Sequence, residues 1–137
     1  MGNSARGVAA AATWVLLTAC GGEGGLKLPT HGSVGGRMLA SLTGKVVGDP
    51  ATGCVWLELA VDRTRVAALW PPDYRVRFDP VRIYDARGRV VMREGTMHSF
   101  GGGHSGEVAH KVPRGCRAGV GAFHVNPLAP EAERAPL

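Results

Sequence analysis

The chain has 137 residues, which leaves room for one domain and excludes a multidomain architecture. Its formal net charge of +5 at pH 7 favours anionic partners such as lipid head groups or cell-wall polymers. The alternative interpretation of this charge is a solvated basic surface with no partner.

Residues 1–19 have the pattern of a helical lipoprotein signal peptide. A short polar start is followed by an apolar run of about 11 residues, too short to span a bilayer core, which needs about 20. The run ends in Leu17-Thr18-Ala19-Cys20, which has the form of a lipobox. This predicts cleavage before Cys20, lipidation of its thiol and a lipid anchor in the cell membrane, outside the cytoplasm. An ordinary secretory signal or an uncleaved anchor is the alternative.

Residues 20–37 are rich in glycine and show no persistent apolar period. This composition is typical of a flexible chain, so the segment is predicted to be a tether that begins at the lipidated Cys20. His31 falls within this segment and is predicted to be a solvated tether residue.

From residue 38 onward, apolar and polar residues alternate with the period of β-strands. Candidate strands occupy 39–47, 54–61, 65–70, 74–78, 81–84, 89–94, 96–100 and 122–125, separated by Gly/Pro turns. Residues 101–106 are expected to form a glycine-rich loop, and 85–88 a turn with Gly88 in the left-handed conformation.

No helical period persists after the leader. The sequence therefore predicts an all-β domain over residues 38–126, either a small OB-like barrel or a compact sandwich of about six to eight short strands. The Pro/Ala/Glu-rich residues 127–137 are predicted to be a disordered tail.

The chain contains three cysteines. With Cys20 assigned to the lipid, Cys54 and Cys116 remain, and in an oxidising compartment they are expected to form a disulfide. This bond would tie a strand to the C-terminal segment and so help to close the edge of a barrel. A loop of this length gives on the order of 4 kcal/mol in the chain-entropy treatment, a large share for a small domain.

Three segments carry a resemblance to a known group of proteins: Trp70-Pro71-Pro72-Asp73-Tyr74, Asp85-Ala86-Arg87-Gly88-Arg89-Val90-Val91 and Gly101-Gly102-Gly103. Together with a cysteine before the first and another near the C-terminus, they make residues 42–125 similar to small actinobacterial lipoproteins of uncharacterised function. Those proteins usually have glycine at the position of Asp73. The resemblance implies an exported single β-domain and brings no activity with it.

A group of basic and aromatic side chains is predicted to share the outward face of adjacent strands. Its members are Arg75, Arg77, Arg82, Tyr84 and Arg93. On a cytoplasmic barrel such a face would favour nucleic acid, but export argues against that partner. The expected partner is an anionic envelope polymer, a lipid head group or another envelope protein, and solvated arginines are the alternative.

No catalytic constellation is evident. The glycine run at 101–103 precedes no helical pattern, as a phosphate loop would require, and Ser99 and Ser105 lie in no nucleophile elbow. The histidines His98, His104, His110 and His124 lack the spacing of a known metal site, although an exported metal-binding protein remains the second hypothesis. We therefore predict a membrane-anchored, non-catalytic binding or structural module, with no cofactor, no metal and an undetermined oligomeric state.

Overall fold

The computed structural model describes residues 25–32, 38–105, 109–119 and 121–134. The signal peptide and Cys20 lie outside these residues. In the described part, strands predominate and only three short 3-10 helices occur, which confirms the all-β prediction. None of the described helices is long and apolar enough to cross a membrane.

The described residues contain nine strands, more than the six to eight predicted. They are β1 (Leu26–Lys27), β2 (Ala40–Asp49), β3 (Cys54–Leu59), β4 (Arg65–Leu69), β5 (Arg75–Arg77), β6 (Arg82–Tyr84), β7 (Val90–Arg93), β8 (Met97–Ser105) and β9 (Ala122–Val125). The additional strand is β1, which lies in the segment that was predicted to be a tether.

Five strands form a closed ring in the order β2-β3-β4-β9-β8, with β8 pairing back onto β2. All neighbours are antiparallel except β4 and β9, which are parallel. Counted along the chain, the ring strands follow the order 1-2-3-5-4. The closed ring leaves no free strand edge.

The other four strands form a separate sheet in the order β1-β5-β6-β7, here called the small sheet. Its strands β5, β6 and β7 lie between β4 and β8 in the sequence, whereas β1 precedes the barrel strands. Its inward side chains, among them Val76 and Ile83, are buried. They join Leu57 and Phe100 of the barrel in one hydrophobic cluster with Trp70. The barrel and the small sheet therefore share a single core.

The predicted disulfide between Cys54 and Cys116 is confirmed, with the two Cα atoms 5.3 Å apart. Cys116 belongs to a 3-10 helix, Arg114–Cys116, that packs against β3. The indole Nε1 of Trp56 donates to the carbonyl of Cys116 at 2.7 Å, so the same site is fixed by a hydrogen bond as well. Together these bonds hold the segment that leads into β9 against the barrel.

The prediction that residues 20–37 form a flexible tether is wrong for residues 25–32. β1 pairs with β5, and the backbone N–H groups of Leu28 and His31 donate to Tyr74 and Trp70 carbonyls at 3.2 and 3.0 Å. Leu28 is only 5% exposed and belongs to the core. The physical reason is the alternation Leu26-Lys27-Leu28, a short strand pattern that the surrounding glycines obscure.

The prediction of a disordered tail over 127–137 is wrong for residues 127–134. Leu128 packs against the core, and its N–H donates to the hydroxyl of Tyr74 at 3.1 Å. Pro130 is buried and precedes a 3-10 helix at Glu131–Glu133. The folded domain thus extends beyond the predicted limits of 38 and 126 at both ends.

The prediction of a loop at 101–106 is also wrong for residues 101–105, because β8 continues through Ser105, and Gly106 lies outside the described residues. Glycine is required there by close approach between strands: a Cβ at Gly102 would overlap the His124 carbonyl and lie 2.7 Å from the Phe123 ring. The glycines therefore mark tight pairing of β8 with β9.

Two turns have the backbone conformation that their sequences indicate. Gly88 has φ of 77°, and its N–H donates to the Asp85 carbonyl at 2.9 Å, which confirms the left-handed turn. Asp73, in the Trp-Pro-Pro segment, has φ of 64°, in the left-handed region that favours glycine.

Leu28→Ala tests whether the N-terminal segment is part of the core. We expect the free energy of unfolding to fall by about 2–5 kcal/mol, because a buried leucine is removed and a cavity remains. The matched control Leu39→Ala alters a leucine that is 97% exposed and should change stability by less than about 0.5 kcal/mol. Urea unfolding of both variants measures the difference, and equal small effects would contradict the packing of residues 25–32.

Candidate functional site

The strand register brings the five predicted face residues onto one side of the small sheet. Arg75 lies opposite Tyr84, Arg77 opposite Arg82, and Arg82 opposite Arg93. Residues directly opposite each other, or two apart on one strand, point to the same face.

Lys27 also belongs to this row, because it lies opposite Arg75 in the pairing of β1 with β5. The face is therefore more extensive than the sequence predicted, and it reaches the outer edge of the sheet at β1.

The C-terminal segment places two carboxylates beside the β7 half of this face. Arg93 Nε lies 2.8 Å from Glu131 Oε2, and Arg89 Nη1 lies 3.8 Å from Glu133 Oε1. Arg82 is half-buried, with its Nε buried. An acidic 3-10 helix lies against β7, so Arg93 is paired within the protein and is less available to an anion than Arg75 or Arg77.

The other half of the face opens into a cleft of about 660 Å³, here called the basic cleft. Its walls are formed by Gly25, Asp73, Arg75, Arg77, Tyr84, Asp85, Ala86, Arg87 and Gly88. The volume lies within the range of about 300–1,000 Å³ that is typical of small-molecule sites. Three guanidinium groups face two carboxylates there, so the charge of the lining is positive.

One of the two carboxylates in the basic cleft is already matched by a cation. Asp85 Oδ1 accepts from the backbone N–H groups of Arg87 and Arg89, and Oδ2 lies 2.8 Å from Arg89 Nη2. Burial raises the pKa of Asp85, but these hydrogen bonds and the Arg89 charge outweigh burial and hold that pKa below its ordinary value. Because Arg89 compensates this carboxylate, Asp85 does little to repel an anion.

Two of the arginines in the basic cleft are held in place by contacts. Arg75 Nη1 donates to the Gly25 carbonyl at 3.1 Å, and the Arg77 guanidinium carbon lies 5.5 Å from the centre of the Tyr84 ring. A guanidinium over an aromatic face retains its hydrogen-bond donors for an anion. The cleft thus presents planar, fixed cations suited to phosphate or carboxylate groups.

Three contributors to this site were missed in the sequence. Arg87 lies in the turn at 85–88. Strand alternation predicts which strand residues share a face, but it does not predict the direction of a turn residue. The position of Arg87 between Asp85 and Gly88 indicated only an exposed turn. Gly25 and Lys27 lie in the segment that was interpreted as a tether, and only the brief alternation around Lys27 signalled a strand.

The histidines proposed as metal ligands do not converge among the described residues. His98 lies in β8 with its ring 5.0 Å from Phe100, His104 is exposed on the same strand, and His110 belongs to a 3-10 helix. Within residues 25–32, 38–105, 109–119 and 121–134, no three His, Cys, Asp or Glu side chains are grouped as a metal site requires. The geometry therefore gives no support to the metal-binding hypothesis.

His124 instead stacks against His31, a residue predicted to be solvated. The ring centres are 5.4 Å apart, and both side chains are buried. His31 Nε2 donates to the Val125 carbonyl at 2.8 Å, which ties the N-terminal segment to β9. The prediction for His31 was wrong because the segment that carries it packs against the barrel.

A second depression of about 470 Å³ lies on the barrel between β2, the end of β3 and β8. Its lining is mainly apolar and includes Leu42, Leu59 and Phe123, with His104 as a titratable group. It offers burial for an apolar group but little to orient one. The basic cleft combines fixed cations with an aromatic ring and is the stronger candidate site.

The chain matches no protein-family model, and no curated protein and no solved structure matches it. The interpretation of the basic cleft therefore depends on its own geometry and charge.

His124→Leu tests the buried histidine pair through the pH dependence of stability. Burial lowers the pKa of His124, and the nearby His31, Lys111 and His104 lower it further. Below the ordinary histidine pKa of about 6.5, the unfolded chain takes up a proton that the folded chain resists. The stability that depends on neutral His124 is fully present above about pH 6.5, the pKa of an ordinary histidine. It is lost as the pH falls through the lowered pKa of His124 in the folded chain.

We expect urea unfolding to show a smaller loss of stability between neutral and acidic pH in His124→Leu than in the unchanged protein. At neutral pH the variant should be about as stable, because both His124 ring nitrogens are buried without a hydrogen-bond partner among the described residues. An identical acid sensitivity in both proteins would contradict this role of His124.

Proposed function

We propose that this protein is an exported lipoprotein of the cell envelope, anchored in the membrane through Cys20, that binds an anionic ligand without turning it over. The basic cleft on the small sheet is the proposed binding site. The single observation that supports this site best is the set of Arg75, Arg77 and Arg87 around one cleft, with Tyr84 in its wall.

The contacts of these arginines favour binding over a merely solvated surface. Solvated arginines are usually mobile, whereas Arg75 is fixed by the Gly25 carbonyl and Arg77 by the Tyr84 ring. Fixed donors lose less conformational entropy when an anion binds. The ligand class that fits them carries phosphate or carboxylate groups, as many envelope polymers and lipid head groups do.

The anchoring part of the proposal is tested with Cys20→Ser in the full chain. In an exporting bacterial host, we expect the unchanged protein in the membrane fraction with a mature mass that includes a lipid on Cys20. The variant should lose that mass and leave the membrane fraction, because the thiol is the acceptor of the lipid. Ser4→Ala, a change elsewhere in the leader, is the control and should keep the lipid. A membrane-bound but unlipidated wild-type chain would refute the lipobox interpretation.

The binding part of the proposal is tested on immobilised polyphosphate with residues 20–137 carrying Cys20→Ser, a chain that contains every described residue. We expect retention that weakens as salt screens the charges, and elution at lower salt for the double variant Arg77→Gln/Arg87→Gln. The matched control Arg63→Gln/Arg114→Gln removes the same charge from exposed residues outside the small sheet, one in the turn between β3 and β4 and one in the 3-10 helix Arg114–Cys116. If both double variants elute together, net charge alone explains the retention and the site is wrong.

A further inference from the structure

We propose that the basic cleft docks onto the anionic head groups of the membrane that holds the anchor, so that the small sheet faces the lipid surface. This inference depends on the proposed function, because it takes Cys20 as the point of attachment. It goes further by naming the ligand as an anionic phospholipid surface and by fixing the orientation of the domain.

The first argument for this orientation is the short length of chain between Cys20 and the first described residue. Gly25, the first described residue, is only five positions after Cys20. Even fully extended, five residues reach at most about 18 Å. The tether predicted over residues 20–37 would have allowed a freely placed domain, but pairing from β1 onward removes most of that freedom.

The second argument is the position of Gly25, where the described chain begins, beside the cationic side chains. Gly25 forms part of the wall of the basic cleft, and its carbonyl accepts the hydrogen bond from Arg75. A Cβ at Gly25 would lie only 3.2 Å from the Arg77 side chain. The attachment point and the cationic side chains are therefore neighbours, and the anchor draws this edge of the small sheet toward the membrane.

The distribution of charge carries the third step. The side of the face that is adjacent to Gly25 contains Lys27, Arg75, Arg77 and Arg87. On the far side, Arg93 pairs with Glu131, which offsets its charge. Positive charge is thus concentrated next to the proposed anchor. This position matters because the surface potential of anionic lipids falls off within a Debye length of about 8 Å, so that only cations close to the surface are attracted.

These steps favour a lipid surface over a distant envelope polymer. A site for a polymer that extends away from the membrane gains nothing from proximity to the anchor, and a short connection would restrict its access. Lipid head groups are already present at that position at high local concentration, so even weak individual contacts add to the lipid anchor.

The test uses residues 20–137 with Cys20→Ser, so that no covalent lipid contributes to binding. Flotation with vesicles of phosphatidylcholine alone is compared with vesicles that also contain phosphatidylglycerol, at low and high salt. We expect binding only to the anionic vesicles, with loss at high salt. Because each cation near such a surface contributes about 1 kcal/mol, Arg77→Gln/Arg87→Gln should weaken binding roughly 30-fold.

Three comparisons make the result decisive. The charge-retaining Arg77→Lys/Arg87→Lys should bind anionic vesicles nearly as well as the parent, and Arg63→Gln/Arg114→Gln should weaken binding far less than the cleft variant. Thermal unfolding of each variant checks that these exposed substitutions leave the fold intact. Equal weakening by both glutamine double variants, or equal binding to neutral and anionic vesicles, would overturn the proposal.

A soluble ligand is distinguished by competition. Full release of the protein from anionic vesicles by dilute inorganic phosphate, at constant ionic strength, would identify a site for a free phosphate compound and overturn docking on lipid. Retention on polyphosphate without vesicle binding would overturn only this inference and leave the proposed function standing. Loss of the lipid on Cys20 in the cellular experiment would remove the anchoring argument without affecting either binding measurement.

Discussion

The packing of residues 25–32 against the domain is the constraint on which the rest of the interpretation depends. β1 adds an edge strand to the small sheet, Leu28 enters the core, and His31 bonds to the Val125 carbonyl on the barrel. The segment therefore contacts both sheets of the structure. Because this segment is paired from β1 onward, the fold sets the position of Gly25 relative to the basic cleft.

The two ends of the folded chain act on opposite sides of the same arginine-rich face. At one edge, Gly25 supplies a carbonyl that orients Arg75. At the other, Glu131 accepts a charge-assisted hydrogen bond from Arg93. Gly25 thus orients Arg75, which lines the basic cleft, whereas Glu131 neutralises Arg93 through a contact within the protein. A uniformly basic sheet in sequence becomes a sheet with a localised site in three dimensions.

Sequence reasoning reached the strands, the disulfide and the shared face because each of them depends on local alternation or on counting cysteines. It failed where distant partners decide the outcome. Gly102 reads as a loop residue in isolation, and only the approach of the His124 backbone shows why glycine belongs in a strand. Arg93 reads as a free cation until the C-terminal Glu131 is placed beside it. The lipid anchor at Cys20 stays a prediction from the sequence pattern, because Cys20 lies outside the described residues.

The fold also explains how the basic cleft keeps its shape although several guanidinium groups line it. The core runs continuously from the barrel into the small sheet through Trp70, so the inward side of the sheet is fixed. The closed barrel supplies no free edge, and the disulfide holds the segment before β9 against it. These constraints act on the buried side of the small sheet. Its outer face can therefore carry several like charges, because the packing of the core offsets their mutual repulsion. Under the proposed anchoring at Cys20, a domain with its cations beside Gly25 has one orientation in which the anchor and the cations would reach the same surface, and in that proposed orientation the small sheet faces the membrane.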